Sequence, residues 1–148
     1  MMPHDLDGVC NCLAARKAAR YLTAFYDKAL APTGIRITQF TILHKLQRLG
    51  LMGVNQLAAA MAMDRTTLAA NLKPLDREGF LRLTVNPEDR RARLIKITVK
   101  GEKQLEQCLP LWSEAQTHFE EQYGAEKAKN ARELLTEVLL TGLDPWAE

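Results

Sequence analysis

The densest chemistry in this 148-residue chain lies in NPEDRRARLIKITVKG, residues 86–101. Glu88 and Asp89 precede Arg90 and Arg91, and Arg93 follows one residue on. A guanidinium is planar, permanently charged and rich in donors, so several of them on a turn suit phosphate oxygens better than they suit acid–base catalysis. A second reactive group lies near the start of the chain, where Cys10 and Cys12 are followed by Arg16, Lys17 and Arg20. A thiol at a helix start with cations one turn on is placed to react with an oxidant, which makes Cys12 a candidate redox sensor and Cys10 its resolving partner. With His4 the two thiols could ligate a metal only if the chain begins non-helically, because residues two apart on a helix point to different faces; no metal and no cofactor is expected.

The rest of the composition narrows the classes. At 148 residues with 47% apolar content the chain can bury one ordinary core, so a single domain over 1–148 is expected. It has no uninterrupted apolar run of the roughly 18 residues that a membrane span needs and no signal-peptide order at the start, so a cytoplasmic protein without membrane association is expected. Three cysteines, Cys10, Cys12 and Cys108, do not make a disulfide framework. The formal charge of +2 conceals an asymmetry. Residues 1–53 hold 7 basic and 3 acidic side chains, 54–103 hold 10 and 6, and 104–148 hold 3 and 9, giving +4, +4 and −6. A basic front suits a polyanionic partner and leaves the acidic tail for another task.

Periodicity supplies the elements that must position these residues. Ala15, Ala18, Ala19, Leu22, Phe25, Tyr26 and Ala29 mark one face of a helix over about 13–30, ended by Pro32 and Gly34. Thr38 is a plausible N-cap for a second helix that carries Phe40, Ile42, Leu43 and Leu46 inward. Two short helices follow, about 54–62 and from Asp64 to Gly79, with Asp64 as the cap of the second and Leu68, Leu72 and Leu75 on its inner face. That pair has helix-turn-helix spacing. Pro74 inside the second helix predicts a bend near Ala70 or a register change, unless the packing of Leu75 offsets it. The period then drops to two in LRLTV and RLIKITV, a hairpin with a long charged tip, before helical periodicity returns to the C-terminus.

A helix-turn-helix followed by a hairpin is a winged helix, which gives the arginines a task. The helix after Asp64 enters a major groove of DNA while Arg90, Arg91 and Arg93 on the wing reach the backbone and the adjacent minor groove. On the helix, Arg65 and Lys73 suit phosphates, Asn71 suits an adenine edge, and Thr66, Thr67 and Ala70 can touch thymine methyls. The expected architecture is mainly α with a small β-hairpin wing.

Residues 64–105, DRTTLAANLKPLDREGFLRLTVNPEDRRARLIKITVKGEKQL, resemble the MarR family of bacterial transcription regulators, with Asp89-Arg90-Arg91 as the wing signature. The resemblance implies a winged helix-turn-helix lobe over about 38–100, dimerisation helices over about 6–31 and 101–148, and a homodimer that binds a pseudo-palindromic operator as a repressor. It makes Arg91 the minor-groove arginine, with Asp64 and Asp89 anchoring the wing. In the peroxide-sensing branch of the family a reactive cysteine and a tyrosine that hydrogen-bonds it match Cys12 and Tyr26, although that branch tends to carry a second tyrosine where this chain has Arg16. A small anionic effector is a further input, with Arg16, Arg20, His44 and Trp112 as the side chains placed to line its pocket. The rival classes are a thiol-dependent peroxidase using Cys12 and a winged helix that binds protein instead of DNA; no phosphate loop, nucleophile elbow or paired-histidine motif supports an enzyme.

Overall fold

A computed structural model describes Met2 and residues 4–147. Helix α1 spans Asn11–Leu30, and a 3-10 turn, Ala31–Thr33, leads into α2, Ile37–Leu49. A two-residue strand β1, Met52–Gly53, precedes α3, Val54–Ala60, and α4, Arg65–Arg77. The wing strands are β2, Leu81–Asn86, and β3, Asp89–Ile97, followed by α5, Val99–Tyr123, and α6, Ala125–Val138. The three strands form an antiparallel sheet in the order β1-β3-β2.

Local chemistry explains most boundaries. Helix α1 begins two residues earlier than its apolar period suggests because Cys10 is its N-cap, the Sγ accepting from the Leu13 N–H at 3.4 Å. Pro32 then terminates α1 by entering the 3-10 turn, and Gly34 at φ +73° releases the chain. Helix α2 starts at Ile37, one residue before the expected Thr38 cap. Its first N–H is served from another helix, Ile37 N donating to Asp27 Oδ1 of α1 at 2.7 Å, and the N–H of the cap residue Arg36 donates back to Gln39 Oε1 within α2 at 2.9 Å. Between α3 and α4 the chain turns through Ala62 at φ +52°, the non-glycine positive φ among the described residues. Neither internal proline interrupts its helix: α4 runs unbroken through Pro74, with Leu72 and Leu75 buried, and α5 through Pro110. The register change considered for α4 does not occur, which fits the reading that burial of Leu75 offsets the lost hydrogen bond.

The core is one cluster under the winged part, built from Leu30, Phe40, Ile42, Leu43, Leu46, Leu57, Leu68, Leu72, Leu75, Leu81, Ile95, Leu105 and Cys108 among others. No polar side chain is buried among the described residues. A close backbone approach locks α5 to this core. Gly101 in its first turn faces the Phe80 carbonyl so tightly that an added Cβ would lie 2.0 Å from that oxygen. Thr98 caps α5 and fastens the same joint, its Oγ1 donating to the Gly79 carbonyl at 2.6 Å and accepting from Gly101 N at 3.0 Å. Outside this core, α6 buries one residue, Ala128, and the first half of α1 buries none.

Candidate nucleic-acid interface

Helix α4 carries its polar face outward because Leu68, Leu72 and Leu75 turn the opposite face into the core. Arg65, Thr66, Thr67, Ala70 and Lys73 are exposed on that outer face and Asn71 is half-buried. Asp64 caps the helix through a 2.6 Å bond from Thr67 N to its Oδ1. That backbone bond, reinforced by the Thr67 side chain, holds the Asp64 carboxyl below the ordinary aspartate range. Asn71 donates its Nδ2 to the Thr67 carbonyl at 2.9 Å, so its amide is folded onto its own helix. Reading an adenine edge would require that bond to open.

The wing differs from a hairpin with a long tip. Its ladder closes on a two-residue turn, Pro87-Glu88, with Asn86 paired to Asp89. The next pair is Val85 with Arg93, so Arg90, Arg91 and Ala92 are extra residues that bulge from β3 without partners. Two side-chain turns shape the bulge. Asn86 Oδ1 accepts from Glu88 N and Asp89 Oδ1 from Arg91 N, each at 3.0 Å. Arg90 and Arg91 thus stand exposed on a bulge at the side of the tip, and Arg93 is exposed one paired residue below. The Asp89 carboxylate, expected to anchor the wing, accepts the Arg91 N–H within the bulge. Asp64 caps α4 through Oδ1 and forms no ion pair with Arg91 among the described residues.

The structure does not gather the remaining candidates into one place. Cys12 is exposed in the first turn of α1 and Cys10 is partly buried as its cap. Tyr26 lies fourteen residues further along the same helix, about 21 Å at 1.5 Å per residue, so it does not reach Cys12 of its own chain. Its hydroxyl donates instead to Gln116 Oε1, while Gln116 Nε2 donates to Glu120 at 3.1 Å and Arg132 to the same carboxylate at 3.0 Å. This chain ties α1, α5 and α6 together. Burial first, and the Glu120 charge second, push the Tyr26 hydroxyl above its ordinary value. Arg16 and Arg20 line a surface groove with Ala19, Thr23, Ala24 and Asp27, all on α1. His44 and Trp112 sit elsewhere, stacked on Phe40 at 6.1 and 6.0 Å between ring centroids. The four expected effector residues therefore divide between an open helix face and an aromatic stack. No group of three His, Cys, Asp or Glu residues that could hold a metal occurs among the described residues. No helix described is long and apolar enough to cross a membrane.

Two features escaped the sequence reading. Strand β1 pairs Met52 with Ile95 and Gly53 with Leu94, bringing the start of α3 beside the wing root. Gln56 serves that corner by accepting from Gly53 N at 2.9 Å. The Gly-x-x-Gln spacing carries this signal, since a glutamine three residues after a helix-entry residue reaches back to its N–H.

A helix-turn-helix whose second helix leads directly into a basic antiparallel wing defines a winged helix-turn-helix regulator. Residues 35–92 match the MarR family. The Mycobacterium tuberculosis transcriptional regulator MosR, solved in complex with DNA, is 32% identical; the match covers 90% of this chain and 99% of that one, with a TM-score of 0.78. The multiple antibiotic resistance protein MarR of Salmonella typhimurium is 32% identical over 79 residues, 53% of this chain and 55% of that protein. A Bacillus subtilis protein described as an uncharacterised HTH-type transcriptional regulator, YwaE, is 24% identical over 124 residues, 84% of this chain and 70% of its own. The chain belongs to the MarR family, whose members are transcriptional regulators.

Proposed function

We propose that two copies of this chain bind one inverted repeat of DNA and repress transcription from it. The observation that carries this reading is the side-by-side placement of the exposed α4 face and the unpartnered Arg90–Arg91 bulge. Arg65 and Lys73 bind phosphates, Thr66, Thr67 and Ala70 meet base edges and methyl groups, and the wing arginines enter the flanking minor groove. The helical lobe supplies the second copy. Leu134, Leu135, Val138, Leu139, Leu143 and Trp146 are all exposed, Leu139 to 65% and Leu143 to 82%, an apolar surface that one chain leaves open to water. Burying it against a partner sets the distance between two α4 helices, which must be about 34 to 36 Å to enter successive major grooves.

The input signal that the geometry favours is thiol oxidation at the tip of α1. Cys10 caps this helix through its Sγ and Cys12 is exposed two residues on, whereas the expected effector residues are dispersed. A hydroperoxide would take two electrons from the two thiols, leaving a Cys10–Cys12 disulfide, an alcohol and water. Because Cys10 is the extended cap residue just outside the helix, drawing its Sγ onto Cys12 removes the cap on Leu13 N and loosens the first turn of α1. The Tyr26–Gln116–Glu120–Arg132 chain connects α1 to the helices of the proposed dimer surface.

A mobility-shift titration on the DNA upstream of the chain's own gene tests both readings. The reduced wild type is expected to retard that DNA, with log K falling by about 0.9 per phosphate contact for each unit of log salt. Hydroperoxide should release it, and Cys12→Ser should resist release. No retardation at low salt would defeat the DNA reading; equal release of wild type and Cys12→Ser would defeat the thiol switch; catalytic turnover of peroxide would indicate the peroxidase instead.

A further inference from the structure

Between the start of α4 and the root of the wing lies a cleft of about 230 Å³. Arg65 lines it from α4, Asn55 and Gln56 from α3, and Asp89, Arg91 and Arg93 from β3. Liquid water occupies about 30 Å³ per molecule, so the cleft has room for one tetrahedral oxyanion and several waters. Its charge favours an anion, with three guanidinium groups against the single carboxylate of Asp89. That carboxylate already accepts the Arg91 N–H through Oδ1. Gln56 is similarly turned: its Oε1 accepts from Gly53 N, which leaves the Nε2 donor as the end it can offer to the cleft. None of the three arginines forms an ion pair among the described residues, so their charge is not spent within the protein.

The place of this cleft decides its ligand. The major and minor grooves of a duplex are separated by one phosphodiester strand, and a protein that puts α4 in one groove and the wing in the next must straddle that strand. The cleft opens between these two elements. We propose that it seats one backbone phosphate of that strand, held by Arg65 and Arg93 with Gln56 Nε2 and Asn55 at its floor. This inference rests on the DNA reading above and extends it. Arg93, which pairs with Val85 below the bulge, grips the backbone, while Arg90 and Arg91 are left for the groove. Such a contact fixes register and carries no sequence information.

The test combines Arg93→Gln with duplexes in which single phosphates are replaced, one at a time, by neutral methylphosphonates. Arg93→Gln should weaken operator and unrelated duplex by the same factor and lower the salt slope by about 0.9. At one position on the straddled strand, methylphosphonate should cost the wild type about fivefold and the variant almost nothing, since a charge-assisted bond already lost cannot be lost again. Gln56→Glu, which directs a carboxylate into the cleft, should weaken binding at least as much, with an unchanged melting temperature showing that the fold is intact. If the wild type binds DNA but no position couples to Arg93, the proposal is overturned and the DNA reading survives. Inorganic phosphate perturbing the arginine side-chain resonances of the free protein, with no such coupling, would make the ligand a free oxyanion and likewise overturn it. No wild-type binding to any duplex would remove both readings together.

Discussion

The winged part of the chain and its terminal helices make opposite use of their apolar residues. From Ile35 to Ile97 the leucines and isoleucines that set the helical and strand periods are mostly buried, and a single cluster joins α2, α3, α4 and the sheet. In α6 the same residue types at the same spacing stay exposed, and the first half of α1 is solvent-facing along nearly its whole length. Amphipathic periodicity is therefore equally strong in both regions, yet only one of them finds its complement within the chain. A helix with an apolar stripe and nothing to cover it is incomplete as a monomer.

The contrast breaks most visibly at the uncovered surface. Leu135→Asp with Leu139→Asp, one helical turn apart, should convert a two-chain particle into one chain in sedimentation while leaving the circular dichroism of the winged part in place. Operator affinity should then fall by about 10² to 10⁴, the gain normally obtained by tethering two modules. A dimer that survives both charges would mean that α6 is not the covering surface.

The joint between the two regions comes next. Gly101→Ala places a methyl group 2.0 Å from the Phe80 carbonyl oxygen, a backbone atom held in place by its bond from Thr98 N. We expect a loss of about 3 kcal/mol in urea unfolding, the upper end of overpacking effects. An unchanged midpoint would show that α5 is not docked so closely on the α4–β2 corner.

The smallest effect lies within the self-sufficient region. Ala62 sits at φ +52° in the turn before α4, a conformation that costs an L-residue about 1 kcal/mol and glycine almost nothing. Ala62→Gly should therefore stabilise the chain by about 0.5 kcal/mol after the added freedom of the unfolded chain is offset. Destabilisation instead would place that turn in a different conformation.

How much of this was legible in the sequence divides along physical lines. Local signals read well: the Asp64 cap, the leucine spacing of α4 and the change of period at Leu81 each depend on neighbours within a turn or two. Long-range partners did not. Strand β1 has two residues and exists through its pairing with β3, more than forty residues away, so no alternation marks it. Helix α2 is capped from Asp27 on another helix, which left Thr38 as the apparent cap. The wing arginines were rightly read as exposed but placed at the tip, because the pairing of Val85 with Arg93 that creates the bulge is a property of the ladder and not of the segment. The placement of the effector candidates was not legible for the same reason. Arg16 and Arg20 share a helix face readable from spacing, but whether His44 and Trp112 join them depends on packing around Phe40.

The most direct measurement is an equilibrium titration of a duplex carrying the inverted repeat, by fluorescence anisotropy, with wild type and the Arg90→Ala, Arg91→Ala double variant in parallel. We expect two chains per duplex and a loss of at least tenfold in affinity for the variant, about 1.4 kcal/mol, with its melting temperature unchanged. Equal affinities for the two proteins would contradict the assignment of the wing bulge to DNA.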